Sequence, residues 1–131
     1  MSEYEGKQEH VRAIELPKIE VVENKYPDRG YTVKIEYPEF STVCPKTGMP
    51  DYATIEIVYS PNEYLVELKS LKHYFVAFRN IGFFHENFTN RIFDDFVEAV
   101  EPRWAKIEVR VNNRGGILTT IRREYPTEEA G

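Results

Sequence analysis

The chain has one cysteine, Cys44, in the segment Ser41-Thr42-Val43-Cys44-Pro45-Lys46-Thr47-Gly48-Met49-Pro50-Asp51. A lone thiol forms no internal disulfide and supplies a structural metal site poorly. Seven residues further on stands a carboxylate, Asp51. A thiol that reacts as its thiolate, with a proton donor on the same loop, is an arrangement that covalent catalysis uses. Pro45 biases Cys44 toward extended backbone and keeps it out of a helix. The plainer reading of Cys44 is a small buried hydrophobe, and of Asp51 a turn residue or strand-start cap. The polar, loop-forming surroundings favour an accessible thiol.

His85 and Glu86 follow Phe83-Phe84 at the expected start of a helix. A glutamate in a first turn suits the helix dipole without any further role. As a functional pair, Glu86 accepts two N–H donors from a guanine-like edge, and His85 orients or protonates a reacting group. His10 and His73 give no metal-ligand spacing with Cys44, so no metal is expected. Lys69 and Lys72, with Arg79 beyond, bring positive charge to another helix start in an acidic chain. That pattern suits a phosphate, although most such lysines form a solvated face. Arg114 in Arg114-Gly115-Gly116 is a weaker phosphate candidate, because the glycines serve a turn. There is no GxGxxG and no P-loop, so a nucleotide site of Rossmann or Walker type is not expected.

These residues need a scaffold, and 131 residues suit one domain. Eight Phe, nine Tyr and Trp104 are many for this length, which predicts apolar surface used in subunit contacts. The formal net charge of −5 argues against non-specific nucleic-acid binding. No apolar run approaches the roughly 20 residues that span a bilayer, so no membrane is expected. Residues 1–20 are charged and lack an apolar stretch, and with one cysteine this predicts a reducing, cytoplasmic setting.

Residues 1–20 are expected to form a mobile arm, and 21–131 the single catalytic domain. Val33, Ile35 and Tyr37 alternate with Thr32, Lys34 and Glu36, the pattern of a half-buried strand. Residues 38–52, with their Pro and Gly, predict a loop. Alternation over Ala53 to Tyr59 predicts a second strand, and Tyr64 to Leu68 resumes an extended path. Ser70 is the expected N-cap of a helix to about Arg79. Phe84, Phe88, Ile92, Phe93, Phe96, Val97 and Val100 predict a second helix over 84–100, closed by Pro102. Ile107, Val109 and Val111, then Ile117 to Ile121, predict two final strands around a turn. The order ββααββ predicts an α+β domain, an antiparallel four-stranded sheet with both helices on one face. Its edges need covering, and pairing with neighbouring subunits in an oligomeric barrel is one solution.

Four blocks carry a resemblance to a known family. They are Pro38-Glu39-Phe40 through Cys44-Pro45-Lys46-Thr47-Gly48 to Asp51-Tyr52-Ala53-Thr54-Ile55; Glu67-Leu68-Lys69-Ser70-Leu71-Lys72-His73-Tyr74; Phe78-Arg79-Asn80 with Phe84-His85-Glu86; and Arg114-Gly115-Gly116. Their order and spacing over about residues 27–121 resemble the NADPH-dependent 7-cyano-7-deazaguanine reductases of queuosine biosynthesis, in their short, single-module form. These nitrile reductases belong to the tunnelling-fold superfamily, which includes GTP cyclohydrolase I. The resemblance implies a homo-oligomer, a decamer of two pentamers, with active sites between subunits. It implies that Cys44 attacks the nitrile carbon to form a thioimide and that Asp51 protonates nitrogen. His85 lies beside the reacting group, and Glu86 holds the deazaguanine edge. It also places Glu67, Ser70 and Leu71 at the substrate, and Lys69, Lys72 and Arg114 near the NADPH phosphates. Two other readings stand beside it: a related purine or pterin cyclohydrolase, which stoichiometric zinc would favour, and a purine-binding oligomer without catalysis, which would bind without consuming NADPH.

Overall fold

A computed structural model describes residues 13–127, and of Asn113 and Arg114 the backbone only. The elements run β1 (Val21–Glu23), β2 (Val33–Val43), β3 (Pro50–Ser60), β4 (Tyr64–Val66), α1 (Leu68–Val76), α2 (His85–Val100), β5 (Trp104–Arg114) and β6 (Ile117–Tyr125). The α+β expectation holds. β2, β3, β5 and β6 form an antiparallel sheet in that order, and β1 pairs with β4 in a second, two-stranded sheet. That small sheet was not anticipated, because strands of three residues are too short to show a period.

Alternation along the central strands decides which face is covered. Ala53, Ile55, Ile57 and Tyr59 of β3 and Ala105, Ile107, Val109 and Val111 of β5 are buried on one face. α2 lays Phe88, Ile92, Phe93, Phe96 and Val100 into that core. α1 adds Leu71, Tyr74 and Phe75. The buried Tyr74 hydroxyl donates to Asp95 Oδ2 at 2.6 Å, tying α1 to α2. The opposite face carries a ladder of charge: Lys34 to Glu56 at 2.8 Å, Arg110 to Glu108 at 3.1 Å and Arg122 to Glu108 at 2.9 Å.

β2 and β3 are longer than the sequence pattern predicts. The expected loop over 38–52 contracts to 44–49. Register passes from Tyr37 opposite Ile55 to Phe40 opposite Ala53, so one extra residue on β2 is absorbed in a bulge at Pro38-Glu39. A proline is tolerated there because β2 is the edge of this sheet and the bulge asks for no ladder N–H. Pro50 is likewise tolerated as the first residue of β3.

α1 also starts earlier than expected. Glu67, not Ser70, is its N-cap: its Oε2 accepts from the Lys69 N–H at 2.6 Å and its Oε1 from the Ser70 N–H at 3.0 Å. Ser70 lies inside the helix, where its hydroxyl donates to the Glu67 carbonyl and accepts from the Glu20 N–H. That last bond bears on the expected arm. Ile19 is buried at 4% exposure, and Ile14 and Leu16 pack on the core, so 13–20 is held down by apolar contacts. Residues 1–12 lie outside the described chain.

α2 ends as expected before Pro102, but its C-cap, Glu101, is left-handed at φ 50°. That conformation penalises a Cβ, and glycine is the usual occupant. Glu101→Gly is therefore expected to stabilise the fold by about 1 kcal/mol, read as a higher urea midpoint with unchanged slope. An unchanged or lower midpoint would contradict this account of the cap.

Candidate active site

Cys44 is positioned by the end of β2 and by a tight turn. Its N–H donates to the Met49 carbonyl at 2.7 Å, and its carbonyl accepts from the Gly48 N–H at 2.8 Å. Gly48 closes this turn at φ 74°, a left-handed conformation that a side chain would oppose. Asp51, the second residue of β3, is buried and sits directly opposite Thr42 of β2.

The start of α2 is brought to the same place through Val43. The Val43 N–H donates to the Ile81 carbonyl at 3.0 Å, and the Phe83 N–H donates back to the Val43 carbonyl at 3.3 Å. With residues 81–83 held on the end of β2, His85 Nε2 lies 3.4 Å from Asp51 Oδ2. The imidazole rests edge-on to Phe88, with ring centroids 5.9 Å apart. Phe88 packs in turn on Phe40 of β2, their rings tilted with centroids 4.8 Å apart. Cys44, Asp51 and His85 thus form one group at one end of the molecule.

The thiol is half-buried, and its pKa lies below a cysteine's ordinary value. Burial alone pushes it up. The Thr47 hydroxyl and the N–H groups of Thr47 and Lys46, all directed at sulfur, stabilise the thiolate and outweigh burial, while the charge of Asp51 opposes them. Thr47 had no role in the sequence reading; its signal was its place three residues past the thiol, on the same turn. Thr47→Val is expected to move the pH midpoint of Cys44 alkylation by iodoacetamide upward, and Thr47→Ser to leave it near wild type. An unmoved midpoint in the valine variant would remove Thr47 from the account.

Glu86 is exposed in the first turn of α2, and among the described residues its carboxylate has no hydrogen bond or ion pair. The Glu67 block lies elsewhere. Leu68, Leu71, Lys72 and Phe75 share a cavity of about 330 Å³ with Ile35, Glu36 and Tyr37 of β2. Tyr37 and Cys44 are seven residues apart along an extended path, roughly 20 Å. Within one chain, the Glu67 block and the Cys44 group therefore sit toward opposite ends of β2. Leu71 presents its side chain to the core, Ser70 is buried in the hydrogen bonds above, and both Glu67 oxygens are engaged in the cap. That cap already uses the amides of the α1 N-terminus, so a phosphate there meets the ammonium groups of Lys69 and Lys72, both exposed, and not the helix end. The Arg114 side chain lies outside the described residues. Among the described residues, no three of His, Cys, Asp and Glu are grouped to hold a metal ion. None of their helices is long and apolar enough to cross a membrane.

A four-stranded antiparallel sheet carrying two helices on one face, with a cysteine, a carboxylate and an imidazole gathered at one end, defines the class. Among solved structures, the crystal structure of the archaeosine synthase QueF-Like in the apo form shares this fold, with TM-score 0.66 over 71% of this chain and 91% of that one; at 19% identity the likeness is one of fold. A family model described as QueF-like protein matches residues 50–130, which hold every nominated site residue except Cys44. The relative from Chloroherpeton thalassium, named NADPH-dependent 7-cyano-7-deazaguanine reductase, is 53% identical over 111 residues, 85% of this chain and 96% of that protein. The relative of the same name from Chlorobaculum tepidum is 55% identical over 107 residues, 82% and 92% of the two chains. The chain belongs to this QueF-like family of 7-cyano-7-deazaguanine reductases.

Proposed function

We propose that this protein is a nitrile oxidoreductase that reduces 7-cyano-7-deazaguanine to 7-aminomethyl-7-deazaguanine with two NADPH, in the queuosine modification of tRNA. The observation that carries the reading is the half-buried Cys44 thiol, its pKa held down by Thr47 and Lys46, beside the Asp51 carboxylate. Relatives of this name and NADPH dependence, at more than half identity, support it.

A nitrile is a poor hydride acceptor. Cys44 as thiolate adds to its carbon, forming the C–S bond, while Asp51 delivers a proton to nitrogen; the product is a thioimide, C(=NH)–S. NADPH supplies hydride to that carbon, and a second equivalent completes the four-electron reduction. Between the two, the thiolate of Cys44 leaves and an imine remains. His85, 3.4 Å from Asp51, orients the carboxyl and lies beside the developing amine. Glu86, its carboxylate open to ligand, accepts the N–H donors of the deazaguanine edge. Lys69 and Lys72 are suited to the cofactor phosphates by charge and exposure.

The separation of the Glu67 block from Cys44 supports a site completed by a second subunit, in a homo-oligomeric barrel. The exposed Ile117, Leu118 and Tyr125 of β6, an edge strand here, suit that assembly. A decamer of two pentamers is the state the family suggests. Intact-protein mass spectrometry tests the chemistry. Wild type incubated with 7-cyano-7-deazaguanine and no NADPH is expected to gain the mass of one substrate per chain. No adduct at saturating substrate would contradict the thioimide.

A further inference from the structure

Thr42 is 1% exposed, and among the described residues its buried hydroxyl has no hydrogen-bond partner. Other buried hydroxyls here are paired: Thr89 donates to the His85 carbonyl, Ser70 to the Glu67 carbonyl, and Tyr59 accepts from the Val66 N–H. An orphaned buried hydroxyl is costly to the fold, so such a group is expected to gain a partner in the working state. Its surroundings say which. Thr42 and Asp51 are directly opposed in the β2–β3 ladder, so their side chains leave the same face, with Cβ atoms about 4.5–5.5 Å apart. Asp51 is 7% exposed. Cys44 follows Thr42 two residues along the chain.

We infer that Thr42 is a positioning residue for Asp51. Its hydroxyl donates to the Asp51 carboxyl, directly or through one bound water, and fixes the oxygen that carries the proton to the nitrile nitrogen. This rests on the reading of Asp51 as the general acid. Titratable groups brought to Asp51 include Cys44 from the loop and His85 from α2. On the far side of β3, Val111 faces Ala53, and the next β5 residues, Asn112 and Asn113, are uncharged. Thr42 is thus a neutral donor among groups whose charges change during the reaction. Without that donor the Asp51 carboxyl can turn, and its proton is no longer aimed at the nitrile nitrogen, so kcat falls while substrate binding is largely kept.

The test compares Thr42→Val, Thr42→Ala, Thr42→Ser and Asp51→Asn in steady-state NADPH consumption with 7-cyano-7-deazaguanine. Both variants lacking the hydroxyl are expected to lose roughly 10- to 100-fold in kcat, with KM changed less than about twofold. Thr42→Ser is expected to restore most of kcat. Two independent replacements keep the test open should one fail to fold, which thermal melting reports. Wild-type kcat in Thr42→Val or Thr42→Ala, with Asp51→Asn inactive, would overturn the role of Thr42 alone. Equal losses in the serine and valine variants would assign the effect to packing and also overturn it. Wild-type turnover in Asp51→Asn would overturn the reading of Asp51 itself.

Discussion

Cys44→Ala is expected to lower NADPH turnover by at least about four orders of magnitude, since removing a nucleophile disables the whole covalent route. The fold should survive. Cys44 is half-buried and its backbone makes the bonds that close the turn, so the melting temperature is expected to stay within a few degrees of wild type. The substrate adduct seen without NADPH should disappear in the same variant. Turnover within about tenfold of wild type would show that the thiol is not the nucleophile, because binding and electrostatics alone supply only part of a covalent enzyme's rate.

The second large effect belongs to Asp51. Asp51→Asn is expected to reduce kcat by roughly 10²–10⁴, the usual contribution of a positioned general acid. The same substitution has an opposite consequence at the thiol. The Asp51 charge raises the pKa of Cys44, so replacing it with a neutral amide lowers that pKa further. Iodoacetamide alkylation of Asp51→Asn should therefore have its midpoint at lower pH than wild type, in an enzyme that has lost turnover. A more readily ionised but ineffective thiol would separate the two roles: Cys44 adds, and Asp51 delivers the proton. A midpoint moved upward would contradict the proximity of the two groups.

Much of this was legible in the residues, and the exceptions share a cause. α2 was readable because seven apolar residues recur at helical steps, and the reactive loop because Pro45, Gly48 and Pro50 punctuate it. Cys44, Asp51 and His85 could be nominated by type and are gathered in space. What escaped depended on partners distant in sequence. Pro38 reads as a strand breaker, yet a bulge on an edge strand accommodates it. Glu67 reads as one charge among several, but its carboxylate caps α1. Ile14, Leu16 and Ile19 are too few to show a period, yet they land on the core. Thr42 has the ordinary propensity of a strand residue. Only its burial opposite Asp51, with no partner among the described residues, distinguishes it. Similarly, the distance between the Glu67 block and Cys44 became evident only when β2 proved to be one extended strand between them.

The central claim is that this chain reduces a nitrile by four electrons through Cys44. Its most direct test is the fall in NADPH absorbance when a limiting, known amount of 7-cyano-7-deazaguanine is added to the wild-type protein. Two NADPH consumed per substrate, with 7-aminomethyl-7-deazaguanine as product, is the predicted result. No consumption by folded wild type would contradict it, and one NADPH per substrate would contradict the carriage of the imine through to the amine.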